Sequence, residues 1–187
     1  MLFFLLLPII QSYPFINLLR HQNSLISSLT PVYQKESTVS PTTKVLDIGC
    51  GNGQSTRYIH DLLKNNPNDI TGIDKDEFKI LKAIHKYPSL EFGIDDIRHS
   101  KLPSKEFDIL FVSNVFQEIE SRDFNRVVRH MNRISKNDSS LLYLYHNQIN
   151  ERLEDNMNIF YKNFNIIQTS IQHDNHYIIA KPKKAYA

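Results

Sequence analysis

Apolar and polar positions along this chain fall into two alternating periods. Val45, Leu46 and Ile48 make a short, nearly continuous apolar run, the pattern of a strand buried on both faces of a parallel sheet. From residue 54 to 63 the period lengthens, and Tyr58, Ile59, Leu62 and Leu63 share one helical face. Further strands are expected over 69–74, 90–94, 107–113 and 141–145, and further helices over 77–86, 123–134 and 151–162. The run at 107–113 is the strongest of these strand signals, and the helix at 123–134 carries Phe124, Val127, Val128 and Met131 at helical spacing. A closing pair, 164–171 and 176–180, is separated only by residues 172–175 and reads as an antiparallel hairpin. Strands alternating with helices specify an α/β, three-layer sandwich: a mostly parallel seven-stranded sheet ending in a C-terminal antiparallel β-hairpin, with one reversed strand at or near an edge.

The first ten residues, MLFFLLLPII, break this alternation. A membrane span needs ~20 apolar residues, and Pro8 and Gln11 interrupt the run well before that length. A secretory leader would carry basic residues ahead of the run and a small-residue cleavage site after it, and neither is evident. The expectation is therefore a buried or amphipathic lid, continued by Phe15, Ile16, Leu18 and Leu19. Membrane-surface contact through residues 1–19 and a dimer contact are its competing uses. Residues 30–43, with Pro31 and Pro41, read as a linker, so the chain divides into an N-terminal helical lid and linker at 1–43 and a core domain at 44–187.

Composition changes this picture little. A chain of 187 residues with 41% hydrophobic content suits one domain with a sizeable core. Its 22 basic and 20 acidic residues leave a net charge of +2. There is no global field for gripping a polyanion, and no nucleic acid partner is expected. Cys50 is the single cysteine, which excludes an internal disulfide and suits a reducing, cytoplasmic setting.

Candidate chemistry concentrates in VLDIGCGNG, residues 45–53. The strand gives way to Gly49, Gly51 and Gly53 and then at once to a helix. Glycine lets a ligand approach the backbone without meeting a Cβ, and the first helical N–H groups remain free to donate. A dinucleotide-binding turn asks for a small residue at the sixth position from the first glycine, where this chain has Gln54. That weakens an NAD-dependent dehydrogenase. Asp47, two residues before Gly49, would repel a pyrophosphate and welcome a cationic group. At the carboxyl end of the second strand, Asp74 can accept both hydroxyls of a ribose.

The turn resembles the first motif of class I S-adenosylmethionine (SAM)-dependent methyltransferases, and the resemblance runs over residues 44–182. It implies SAM as the cofactor, S-adenosyl-L-homocysteine as the product, and a small-molecule acceptor, apolar if the N-terminal segment faces it. By this resemblance Asp47, Gly49, Cys50, Gly51 and Gly53 surround the methionine part of the cofactor, and Asp74, with Lys75 beside it, meets the ribose. Asp96 and the backbone of Ile97 meet the adenine, and the backbone at Ser113 and Asn114 receives the cofactor's amino group. Many small-molecule methyltransferases carry His where this chain has Gln117 and Glu118. That leaves Glu118 as one candidate base and His146, at the end of the fifth strand, as another. A sulfonium is already a reactive methyl donor, so positioning and exclusion of water can supply much of the catalysis. The missing His keeps a non-catalytic SAM-binding module, or a partner subunit that retained the fold, as the alternative, with the dehydrogenase third. His173 and His176 flank the last turn without a third ligand, so no metal site is expected.

Overall fold

The computed structural model describes residues 43–63, 69–137, 140–146, 151–172 and 175–183. The lid expected over 1–43, its membrane-surface or dimer contact, and His173 lie outside the described residues. Strands and helices alternate as β1 (Val45–Ile48), α1 (Gln54–Leu63), β2 (Ile70–Asp74), α2 (Glu77–Lys86), β3 (Glu91–Ile94) and β4 (Ile109–Ser113). A 3₁₀ turn at Phe116–Glu118 then leads into α3 (Ser121–Ile134), β5 (Leu141–His146), α4 (Glu151–Asn163), β6 (Phe164–Gln172) and β7 (Asn175–Pro182). Among the described residues no helix is long and apolar enough to cross a membrane.

The seven strands form one sheet in the order β3-β2-β1-β4-β5-β7-β6. Neighbours from β3 through β5 pair in parallel. β7 enters antiparallel between β5 and β6, so it is the reversed strand and lies next to the edge, as the hairpin pattern requires. Pairing between β6 and β7 shifts register between Ile166 and Gln168, a bulge in the edge strand. Alternate residues of the central strands, Leu46 and Ile48, Leu110 and Val112, Leu142 and Leu144, share one face. They join Phe124, Val127, Val128, Met131 and Ile134 of α3, and Leu153, Met157 and Phe160 of α4, in the hydrophobic core.

Several boundaries shift by a residue or two from the apolar pattern, and two of the shifts have a visible cause. Pairing of β4 starts at Ile109, because Phe107 and Asp108 are engaged elsewhere: Phe107 N–H donates to Ile134 O and Asp108 N–H to Lys44 O. Helix α3 starts at Ser121, ahead of its first buried residue, Phe124. Its first turn is polar, so apolar spacing could not announce it.

The opposite face of the sheet is thinned where α1 crosses β2. A Cβ on Gly72 would lie 2.6 Å from Thr56 Oγ1, 2.9 Å from the Phe92 ring and 3.0 Å from Cys50 Sγ. Gly72→Ala is therefore expected to destabilise the fold by about 1–3 kcal/mol through overpacking. Gly93→Ala, whose Cβ would meet only Ile73 Cγ2 at 3.9 Å, is expected to change stability by less than about 0.5 kcal/mol. Urea unfolding of the two variants side by side measures the contrast; equal losses would contradict it.

Candidate functional site

The turn after β1 is folded over the end of β2. Gly49 and Cys50 N–H both donate to Ile73 O, at 2.8 and 2.9 Å. The three glycines of this turn do different work. A Cβ on Gly49 would lie 2.3 Å from Val115 Cγ2, and one on Gly53 would meet the Phe92 ring at 2.7 Å, so both positions serve close packing. Gly51, at φ +54°, faces open space with nothing within 4 Å of a notional Cβ. Its N–H donates to Asp74 Oδ2 at 2.9 Å.

That open space belongs to a cleft at the carboxyl ends of β1, β2 and β4. Gly49, Gly51, Asp74 and Lys75 line it on one side, Asp96 and Ile97 on a second, and Ser113, Asn114 and Glu118 on a third. Asp95, beside Asp96, also lines it, and sequence reasoning missed Lys79, Arg98, Val115 and Ile119. Only proximity in sequence to Asp96 and Asn114 could have pointed to the last three. Asp47, Cys50, Gly53 and His146 do not line the cleft.

Asp74 is fixed at the cleft wall. Its Oδ2 accepts from Gly51 N–H, and its Oδ1 accepts from Asp76 N–H at 2.9 Å. A carboxylate oxygen has more than one acceptor site, so both oxygens remain able to take ligand hydroxyls. Asp96 is engaged differently. Arg98 Nε donates to both its oxygens at 3.0 Å and Arg98 Nη2 to Oδ2 at 2.5 Å. These bonds hold the Asp96 carboxyl below its ordinary range. A ligand amino group meeting Asp96 would share these oxygens with Arg98.

Asn114 leaves β4 with a φ of +55°, a left-handed conformation that Asn tolerates better than most residues. Its N–H donates to Tyr145 O at 2.9 Å, and Gln117 Nε2 donates to its Oδ1 at 3.2 Å. The next residues form the 3₁₀ turn, which leaves Glu118 exposed at the cleft. Asn156 of α4 holds this turn from beneath, donating through Nδ2 to the carbonyls of Phe116 and Ile119, both at 2.8 Å.

Three expected residues sit deeper than their positions in sequence implied. Asp47 is 1% exposed and points toward the start of α1, where Ser55 and Thr56 hydroxyls donate to its Oδ2 at 2.6 and 2.7 Å. Strand alternation turns it to the face that α1 covers, so it fastens helix to strand rather than facing the cleft. Burial pushes the Cys50 thiol up, and the nearby Asp47 and Asp74 carboxylates add to the shift. A thiol so held is protonated and unreactive. His146 is 1% exposed and packs on the Phe116 ring at 5.8 Å, with both ring nitrogens lacking hydrogen-bond partners. Burial, helped by His176 on the neighbouring strand, lowers its pKa to about 4, so the ring is neutral at physiological pH.

Residues 45–138, just over half of the chain, match the family model described as Methyltransferase domain. The chain is 39% identical over 80 residues to trans-aconitate 2-methyltransferase of Agrobacterium fabrum, a match covering 41% of this chain and 30% of that protein. It is 34% identical over 89 residues to tRNA (guanine-N(7)-)-methyltransferase of Mycoplasma genitalium, covering 46% of this chain and 41% of that protein. The chain thus spans less than half the length of these curated relatives. Among solved structures, the N-methyltransferase NodS of Bradyrhizobium japonicum, in complex with S-adenosyl-L-homocysteine, superposes with a TM-score of 0.67 at 16% identity, covering 94% of this chain and 91% of that one. At that identity the likeness is one of fold.

The burial of Asp47 has a measurable consequence. Desolvation outweighs the two hydroxyl bonds and raises its pKa from 3.8 to about 6. Folding then favours the protonated carboxyl, a stabilisation fully present below pH 3.8 and lost as pH rises through about 6. At about 1.4 kcal/mol per pH unit the loss amounts to about 3 kcal/mol. Asp47→Asn keeps an acceptor for Ser55 and Thr56 but cannot ionise. Its melting temperature relative to wild type is expected to rise between pH 4 and pH 8; a constant difference would contradict the buried-carboxylate account.

Proposed function

The chain belongs to the methyltransferase-domain family, and on that premise we propose that it transfers a methyl group from SAM to a small-molecule acceptor. The observation that carries this reading is the open space at Gly51 beside the backbone-fixed carboxylate of Asp74. A side chain at position 51 would occupy the space in which a ligand can meet bare backbone. When bound, SAM would supply an electrophilic sulfonium methyl and leave as the neutral thioether. The chain's own residues would bind and orient. Asp74 suits ribose hydroxyls, the Asp96–Arg98 pair and Ile97 suit the adenine, and the strained turn at Ser113–Asn114 suits the amino-acid end. Glu118 is the candidate base at the acceptor side. Residues 44–187 would form the cofactor domain, with 1–43 a separate N-terminal segment. The relative named for trans-aconitate methylation supports a small acceptor, and the lone buried cysteine is consistent with a cytoplasmic setting.

A second reading, a module that binds SAM without transfer, is favoured by one observation: His146 is shut away from the cleft, which among the described residues is lined by no imidazole. A lysate screen with methyl-labelled SAM separates the two, since turnover of any acceptor removes the second.

Calorimetric titration tests the cofactor assignment. Saturable binding of SAM and of S-adenosyl-L-homocysteine is expected. Asp74→Ala should weaken both at least about tenfold, equivalent to about 1.4 kcal/mol, and Gly51→Val should abolish binding while Lys162→Ala leaves it unchanged. No saturable heat from folded wild-type protein would end the proposal.

A further inference from the structure

The whole-chain charge of +2 conceals a local concentration. Four of the chain's eight arginines, Arg122, Arg126, Arg129 and Arg133, lie on α3 at spacings of three and four residues, which places them along one helical face. The other face carries Phe124, Val127, Val128, Met131 and Ile134 and is buried in the core, so Arg122, Arg126 and Arg129 are turned outward, while Arg133 is half-buried against the loop after β3. The loop after β3 closes on the same face. His99 Nδ1 lies 3.5 Å from Arg126 Nη1, His130 Nδ1 lies 3.5 Å from Arg133 Nη2, and Arg133 itself donates to the carbonyls of Ser100 and Leu102.

Carboxylates offset only one end of this row. Glu120 pairs with Arg122 at 2.7 Å, and Asp123 approaches Arg126 at 3.8 Å. Among the described residues no carboxylate lies within ion-pair distance of Arg129 or Arg133. The His130 imidazole registers the resulting field: burial and then Arg133, Arg129, His99 and Arg126 all hold its pKa below the ordinary value.

We propose that the arginine face of α3, with His99 and His130, docks the phosphate backbone of a nucleic acid. The row from Arg122 to Arg133 is about 16 Å long at 1.5 Å per residue, a length that suits successive phosphates rather than one anion. Guanidinium forks match phosphate oxygens in bidentate geometry. An anionic bilayer is the weaker fit, because binding there is strengthened by apolar side chains that insert. The large exposed hydrophobics among the described residues lie on α2, β3, α4 and β6, and none on α3. With no exposed aromatic on this face, contact would be with backbone rather than stacked bases. The expectation of no nucleic acid partner rests on total charge, which averages away this placement. The surface borders the cleft through Arg98, which precedes His99 and lines it, but the inference does not depend on methyl transfer.

Fluorescence anisotropy of the full chain with a labelled single-stranded RNA of about 20 nucleotides, and a DNA of the same sequence, provides the test. Saturable binding to at least one is expected, weakening at least tenfold between about 50 and 200 mM salt; the tighter of the two identifies the source of the backbone. Arg126→Gln/Arg129→Gln should bind at least fivefold more weakly, with a salt slope smaller by about one to two, and with an unchanged melting temperature and SAM titration. Should that variant melt early, Arg129→Gln alone, which breaks no ion pair, carries the comparison. Absence of binding at low salt, equal binding by the variant, or binding to phosphatidylserine vesicles without binding to either oligonucleotide would overturn the proposal.

Discussion

The end of β2 is the anchor on which the site depends. One carbonyl, that of Ile73, accepts two N–H groups from the glycine turn, and the next side chain, Asp74, accepts two more, one from the turn and one from the entry to α2. Three of these bonds tie together two βα connections that sequence separates by more than twenty residues, and the fourth fixes Asp74 within its own. They satisfy backbone donors that a tight turn would otherwise leave unpaired at the mouth of a cleft. The Asp74 carboxylate is thereby oriented before any ligand arrives, so a ligand meeting it spends little on ordering the wall.

Burial sorts the acidic groups of this region into different roles. Asp74 and Asp96 line the cleft and accept from N–H donors beside it. Asp47, only a strand's width away, sits with two hydroxyls beneath α1 and resists ionisation. The sheet's alternation decides this, because Asp47 and the residues on either side of it point to opposite faces. Helix attachment and ligand contact are thus divided between carboxylates that look equivalent in a motif.

The sheet and its order of elements were legible because they rest on local signals: apolar runs such as Val45–Ile48, helical spacing such as Phe124 to Met131, and two closely spaced terminal strands. Gly51, Asp74, Lys75 and Asn114 were legible as cleft residues because strand ends set their place. What escaped was anything depending on side-chain direction. Asp47 and His146 lie at strand positions that could open on a cleft, yet each points into packing. Arg98 is two residues past Asp96 and folds back on it, a contact that spacing permits but does not require. The 3₁₀ turn at Phe116–Glu118 is held by Asn156, some forty residues later, and no local pattern encodes so distant a clamp. The arginine face of α3 escaped for another reason, since a net charge says nothing about where charges gather.

The sheet's two borders meet different ends. On one side β3 offers only four residues to a passing strand, and on the other β6 offers nine but carries the bulge between Ile166 and Gln168. A bulge bends the strand and interrupts the even ladder of donors and acceptors that a second chain would need for pairing. Ile166 and Ile167 are half-exposed there, so without the irregularity this border would be an adhesive one. The extra residue thus makes β6 a poorer template for a second strand than its length alone would make it.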